Sequence, residues 1–274
     1  MIEPREARLH NEEDHQDRPD HARPPATRHA ENQREARLSA GRHAENQLRL
    51  AVAQPALLAH DVAANAHAHA LLIAEAGARV VVFPELSLTG YELDAPEISV
   101  DDPRLAPIVQ ACLEHGCIAL VGAPIHGPHI ALLAVTGTGV TVAYRKQWLG
   151  DVEAQRFSPG PSPAVIEVDG LRLGLAICKD TGVPQHASDT SALGMDAYLA
   201  GTCKHAHEAA LQAERAHRIA TSHGVWVGFA SFAGPTGGGF TETAGGSAIW
   251  SPDGTVVASA SRSPGSLAAT TLSR

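Results

Sequence analysis

The chain is poor in the residues that mark several classes of function. It holds four cysteines among 274 residues, too few for a disulfide scaffold at this length, so free thiols are expected. Aromatic residues make up 4%, and no apolar run approaches the roughly 20 residues of a membrane-spanning helix, so no membrane partner is expected. The first twenty residues, MIEPREARLHNEEDHQDRPD, contain no apolar core, and the expectation is a cytoplasmic protein without a secretory leader. Positive charge is in deficit: the net charge of -9 argues against a nucleic-acid partner. Neither G-x-G-x-x-G nor G-x-x-x-x-G-K-[ST] follows a strand, and H-E-x-x-H is missing, so the phosphate-cradle and zincin signatures are excluded. Lysine is scarcest of the charged residues, with three, Lys146, Lys179 and Lys204, against eighteen arginines.

What charge there is lies unevenly. Residues 1–46 hold 18 of the 51 charged residues and five histidines, with few large apolar side chains. The stretch repeats itself, RHAENQ at 28–33 returning at 42–47 and REARL at 5–9 returning at 34–38. Such a segment cannot bury enough apolar surface to offset its ordering entropy. The reading is a disordered, low-complexity charged extension over 1–47, then a folded domain over 48–274.

That domain alternates strands and helices. LRLAVAQ (48–54) reads as a strand, 55–78 as a helix and RVVVFP (79–84) as a buried strand. A helix near 103–115 and strands at 117–122, 129–136 and 140–145 come next. Strands at 163–168 and 171–177 flank Asp169-Gly170, a two-residue hairpin signal. Helices near 186–194 and 206–223 enclose a strand at 196–200, and strands at 225–232, 247–250 and 255–261 close the chain. Gly237-Gly-Gly239 reads as a loop near a pocket. Helix–strand alternation interrupted by hairpins predicts a layered α/β domain with mixed sheets.

Three polar residues directly follow buried strands, where α/β sheets place their ligand sites. Glu85 follows VVVFP, Lys146 follows VTVAYR, and Cys178 follows LRLGLAI. Singly, each has a plain structural reading as a packed thiol or a solvated rim charge. A chain so biased toward arginine that keeps lysine at 146 fits a site needing a compact ammonium. Together the three form a complete set: a thiol nucleophile, a carboxylate to take and return its proton, and a cation for an oxyanion.

FPELSLTGY (83–91), YRKQWLGDVEAQRFSPG (144–160) and GLAICKD (174–180) resemble the three signature segments of the nitrilase superfamily, the carbon–nitrogen hydrolases. LQAERAHRIATSHGVWVGFASFAG (211–234) and GGSAIWSPDGTVVASA (245–260) extend the resemblance over 48–274. It implies a four-layer αββα sandwich with two mixed β-sheets, a homodimer or higher homo-oligomer, and neither metal nor organic cofactor. The family's Glu–Lys–Cys triad falls on Glu85, Lys146 and Cys178, and its assisting glutamate on Glu153. Tyr91, Trp148, Lys179 and Ser231 are expected around the substrate, with the Lys179 N–H in the oxyanion site. Trp148, Lys179, Gln185-His186 and Ser231 depart from the common pattern, so the substrate stays open. A compact domain favours a small amide or N-carbamoyl compound over a nitrile, the reaction running through a thioester.

Cys203, His205, His207 and Glu208 have metal-ligand chemistry but lack a second, distant ligand pair. Cys112 and Cys117 read as packing. A non-catalytic scaffold would not be expected to keep Glu85, Lys146, Glu153 and Cys178 together.

Overall fold

The computed structural model describes residues 47–274; the extension read over 1–47 lies, but for Gln47, outside them. Strand β1 (Gln47–Gln54) shows the rule that builds the layers. Leu48, Leu50 and Val52 join one apolar cluster, while Ala51 and Ala53 join another on the opposite face, as the two-residue period of a strand requires. Helix α1 (Val62–Ala76) follows; Asp61 caps it by accepting from Ala64 N at 3.0 Å, and Gly77 ends it with φ 51°. The sequence reading began this helix at Pro55, but residues 55–61 form a loop. There the Asn65 side chain accepts from Leu58 N and donates to Leu58 O, both at 2.8 Å, holding the chain off helical geometry until Asp61.

Strand β2 (Val80–Val82), helix α2 (Ala106–His115) and strands β3 (Ile118–Ile125), β4 (His129–Thr136) and β5 (Gly139–Arg145) complete the first half. The second half runs β6 (Ala164–Val168), β7 (Leu171–Ile177), α3 (Pro184–Ala192), β8 (Ala197–Thr202), α4 (Ala209–His223), β9 (Trp226–Ser231), β10 (Ala248–Trp250), β11 (Val256–Ser259) and β12 (Ser266–Ser273). Asp169 and Gly170, with φ 50° and 81°, make the tight β6–β7 turn. Among the described residues the strands form two six-stranded mixed sheets, ordered β12-β1-β2-β3-β4-β5 and β11-β10-β9-β8-β7-β6.

Strand β12 corrects the reading that ended the strands near 261. It pairs antiparallel with β1 from Gln47↔Ser273 to Gln54↔Ser266, so the last strand crosses from the second half to edge the first sheet. Its small residues, SLAATTLS, carry too little apolar signal to be read as buried.

Three apolar clusters define four layers. Leu50, Val82 and Leu120 of the first sheet meet Leu173, Leu175 and Leu199 of the second between the sheets. Ala66, Ile73 and Ile108 of α1 and α2 cover the outer face of the first sheet. Ala187, Ala216 and Ile219 of α3 and α4 cover that of the second, against Tyr198 and Phe229. This is the expected αββα sandwich. No helix among the described residues is long and apolar enough to cross a membrane.

Candidate active site

Four loops meet where strand ends of the two sheets converge. The Glu85 loop leaves β2 between two close-lying strands. A Cβ on Gly201 of β8 would stand 2.6 Å from Phe83 O and 2.9 Å from Glu85 N, and one on Gly122 of β3 only 2.3 Å from Pro84 O. Glycine at both positions lets the loop sink into the sandwich, leaving Glu85 completely buried.

Lys146 follows β5 and is 1% exposed. Its Nζ donates to Glu85 Oε1 at 2.5 Å and to both Glu153 oxygens at 2.7 Å. Glu153, in a short 3₁₀ turn, also accepts from Gly150 N at 2.6 Å and from the Tyr91 hydroxyl. Glu85 Oε2 is buried without a hydrogen-bond partner.

Cys178 opens the turn after β7 with φ 42°, a left-handed conformation that costs a residue with a side chain about 1–3 kcal/mol. The flanks hold it there. Asp180 Oδ2 accepts from Ile177 N at 2.9 Å, and Thr181 Oγ1 donates to Cys178 O at 2.7 Å. Asp180 also accepts from Trp148 N and from the Tyr144 hydroxyl, tying the cysteine turn to the segment around Lys146. The Cys178 Sγ donates to Cys203 O at 3.2 Å.

Burial sets the protonation states. It raises the Glu85 carboxyl from 4.5 to about 7, against the attraction of Lys146. It raises the Cys178 thiol to about 12, with Glu85 adding to the shift and Lys146 opposing it. Burial alone would lower Lys146, but the charges of Glu85, Cys178 and Glu153 outweigh it and keep the ammonium protonated. Lys146, helped by hydrogen bonds, likewise overcomes the burial of Glu153 and holds that carboxyl below its usual range. The resting thiol is therefore neutral, beside a carboxyl poised near neutrality.

Alongside lies a cavity of about 220 Å³ lined by Tyr91, Leu93, Val152, Glu153, His205 and Phe240, with Gly238 of the glycine-rich loop. Cavities of about 280 and 350 Å³ occur around α2 and its flanking loops, but none of the four buried groups lines them. Of the four, Glu153 lines the smaller one. Of the other sequence-derived residues, Trp148 is exposed and only its backbone N meets Asp180. The Lys179 side chain turns outward to Leu149 O at 2.6 Å. Ser231 is buried, its hydroxyl on Gln212 Oε1 and its N–H on Ser247 Oγ. The residues weighed as metal ligands are otherwise engaged: Glu208 accepts from His205 N, and the His205 ring stacks on His207 and Phe240. Among the described residues, the converging set of metal-ligating side chains is His60, Glu92 and Asp94, near the surface.

Residues 49–274 match the carbon–nitrogen hydrolase family. The chain belongs to it. Among similar proteins, the glutamine-dependent NAD(+) synthetase of Xylella fastidiosa is 33% identical over 194 residues, 62% of this chain. The match spans about a third of that synthetase, 35% of its length. An (R)-stereoselective amidase of Pseudomonas sp. is 29% identical over 44% of this chain and 46% of its own. The solved amidase of Nesterenkonia sp. AN1, in a variant showing Michael addition of acrylamide at its active-site cysteine, superposes with a TM-score of 0.73. It is 22% identical, covering 81% of this chain and 92% of the amidase; at that identity the match speaks for the fold.

Within this carbon–nitrogen hydrolase, two contributors escaped the sequence reading. Asp180 lies within GLAICKD, but a carboxylate's backbone partners cannot be read from spacing. The carbonyl of Cys203 meets the Cys178 thiol, whereas the sequence drew attention only to the Cys203 sulfur. That thiol is buried, and its pKa is pushed well up.

Proposed function

We propose that the protein hydrolyses a non-peptide carbon–nitrogen bond of a small amide through a thioester on Cys178. The observation that carries this reading is the buried Glu85–Lys146–Glu153 cluster beside the thiol, with Glu85 Oε2 unpartnered. Burying three charged groups is costly, and apolar side chains of similar volume would stabilise a sandwich at least as well. Such a cluster is rational where charge develops during a reaction.

In the first half-reaction Glu85 takes the Cys178 proton as the sulfur attacks the amide carbon. The oxyanion is held by the Lys146 ammonium and the Lys179 N–H. Glu85 returns the proton to the nitrogen as the C–N bond breaks, releasing ammonia or an amine. In the second half Glu85 deprotonates water, the hydroxide attacks the thioester carbon, and the acid leaves as the thiol is restored. Glu153, itself held by Tyr91 and Gly150, fixes Lys146. The near-neutral pKa of Glu85 suits a group that must act as both base and acid. In this reading the enzyme needs no cofactor, works in the cytoplasm and pairs with a second copy.

Cys178→Ala should abolish ammonia release from small amides while leaving the circular dichroism spectrum unchanged. In the unaltered protein a small alkylating reagent should label Cys178 ahead of Cys112, Cys117 and Cys203. Equal labelling of the four thiols, with turnover surviving in Cys178→Ala, would remove the reading.

A further inference from the structure

The cavity beside the buried cluster has a one-sided chemistry. Phe240 stacks on His205 with centroids 4.1 Å apart and 23° between the planes, and stands edge-on to Tyr91 at 5.1 Å. Leu93 and Val152 add apolar surface, and Val152 is left 63% exposed at the rim. The loop bearing Phe240 is pinned to the same wall, since Tyr91 N donates to Thr236 Oγ1 at 2.9 Å and Thr236 N to Phe240 O at 2.9 Å.

Charge is arranged against an anionic ligand. No lysine or arginine is among the residues lining this cavity. The nearby cations are engaged elsewhere: Arg156 donates to Leu93 O and Ala95 O, Lys179 to Leu149 O, and Lys204 stands 3.5 Å from Glu208 Oε1. Two carboxylates do line it. Glu153 is held by Lys146 and Tyr91, while Asp151 is fully exposed at the rim. An amino acid that carries its amide on the side chain, as glutamine does, would bring an α-carboxylate that finds no cation here and must lose its water, which is unfavourable.

We propose that this cavity takes the acyl side of the substrate and selects an uncharged aromatic group, with Phe240 and Tyr91 as its aromatic wall. A cavity of about 220 Å³ holds a single ring, and offset or edge-on packing against aromatic walls adds to simple burial. The inference rests on the thioester reading, and it places the ring one residue from the reacting cluster through Tyr91 and Glu153.

The test compares ammonia release from benzamide, acetamide and glutamine by the full chain. Benzamide should exceed both others in kcat/KM by about three- to tenfold, the range that an aromatic contact supplies beyond burial. Phe240→Ala should bring the benzamide-to-acetamide ratio toward unity. Should that variant fold poorly, Val152→Lys at the exposed rim replaces it, lowering benzamide and raising succinamate, which carries a carboxylate. Benzamide binding to the Cys178→Ala protein, with and without Phe240→Ala, reads the wall without turnover. Preference for glutamine, or a ratio unmoved by either substitution, would overturn the inference and leave the thioester reading standing. Phe240-dependent benzamide binding with no turnover of any amide would uphold the wall and remove that reading.

Discussion

A carboxyl group whose pKa stands at about 7 changes charge within the range where enzymes are assayed. Glu85 must be ionised to accept the Cys178 proton, so kcat/KM for a small amide should rise with pH to a plateau, half-maximal near 7. Glu85→Gln should erase this limb and lower the rate by about 10²–10⁴-fold, the usual worth of general acid–base catalysis. A profile flat from pH 5 to 9 would contradict the assignment. The same shift bears on stability with the opposite pH sense. A carboxyl raised from 4.5 to about 7 in the fold contributes stability that is full below 4.5 and lost as pH rises through 7. At this scale the sequence was informative wherever a residue follows a buried strand. Glu85, Lys146 and Cys178 were picked out by their places after buried strands, and their reading as a triad came with the family resemblance. Asp180 was not picked out, since its work is done by backbone partners at Ile177 and Trp148 that only folding brings near.

Strand β12 shows what an element needs in order to be read. Strands such as β2 and β7 announce themselves by valine, leucine and isoleucine; β12 is built of serine, alanine and threonine around two leucines. Yet it carries the edge of the first sheet through eight paired positions with β1, and Leu272 is fully buried between the sheets. Its end is tied further: Trp226 Nε1 donates to Ser273 O at 2.9 Å and Arg274 Nε to Asp196 Oδ1 at 3.0 Å. Leu272→Ala should therefore cost about 2–5 kcal/mol, the range for a buried leucine truncated in a packed core, measured by urea denaturation. A loss below about 0.5 kcal/mol would show that β12 is ornamental to the sandwich. The start of α1 was misread for a similar reason, because alanine and leucine at 56–59 favour a helix locally, whereas Asn65 binds Leu58 from seven residues away.

For the molecule as a whole, alternation of strands and helices predicted a layered α/β domain, the family resemblance implied the αββα order, and three separate apolar clusters realise it. Subunit pairing was implied by the family resemblance, with support from Ala209, Ala210, Ala213, Ala216 and Ala220 on the helix read over 206–223. Light scattering at micromolar concentration should give at least twice the 28.6 kDa of one chain; a monomer would refute the pairing. The central claim is that a buried thiol, at rest neutral, becomes an acyl carrier through Glu85. The most direct measurement is rapid acid quench during turnover of an amide, followed by peptide mass spectrometry. The account predicts an acyl adduct on the peptide containing Cys178 and its absence in Cys178→Ala; an adduct on Cys203, or turnover with no adduct and an undiminished Cys178→Ala rate, would contradict it.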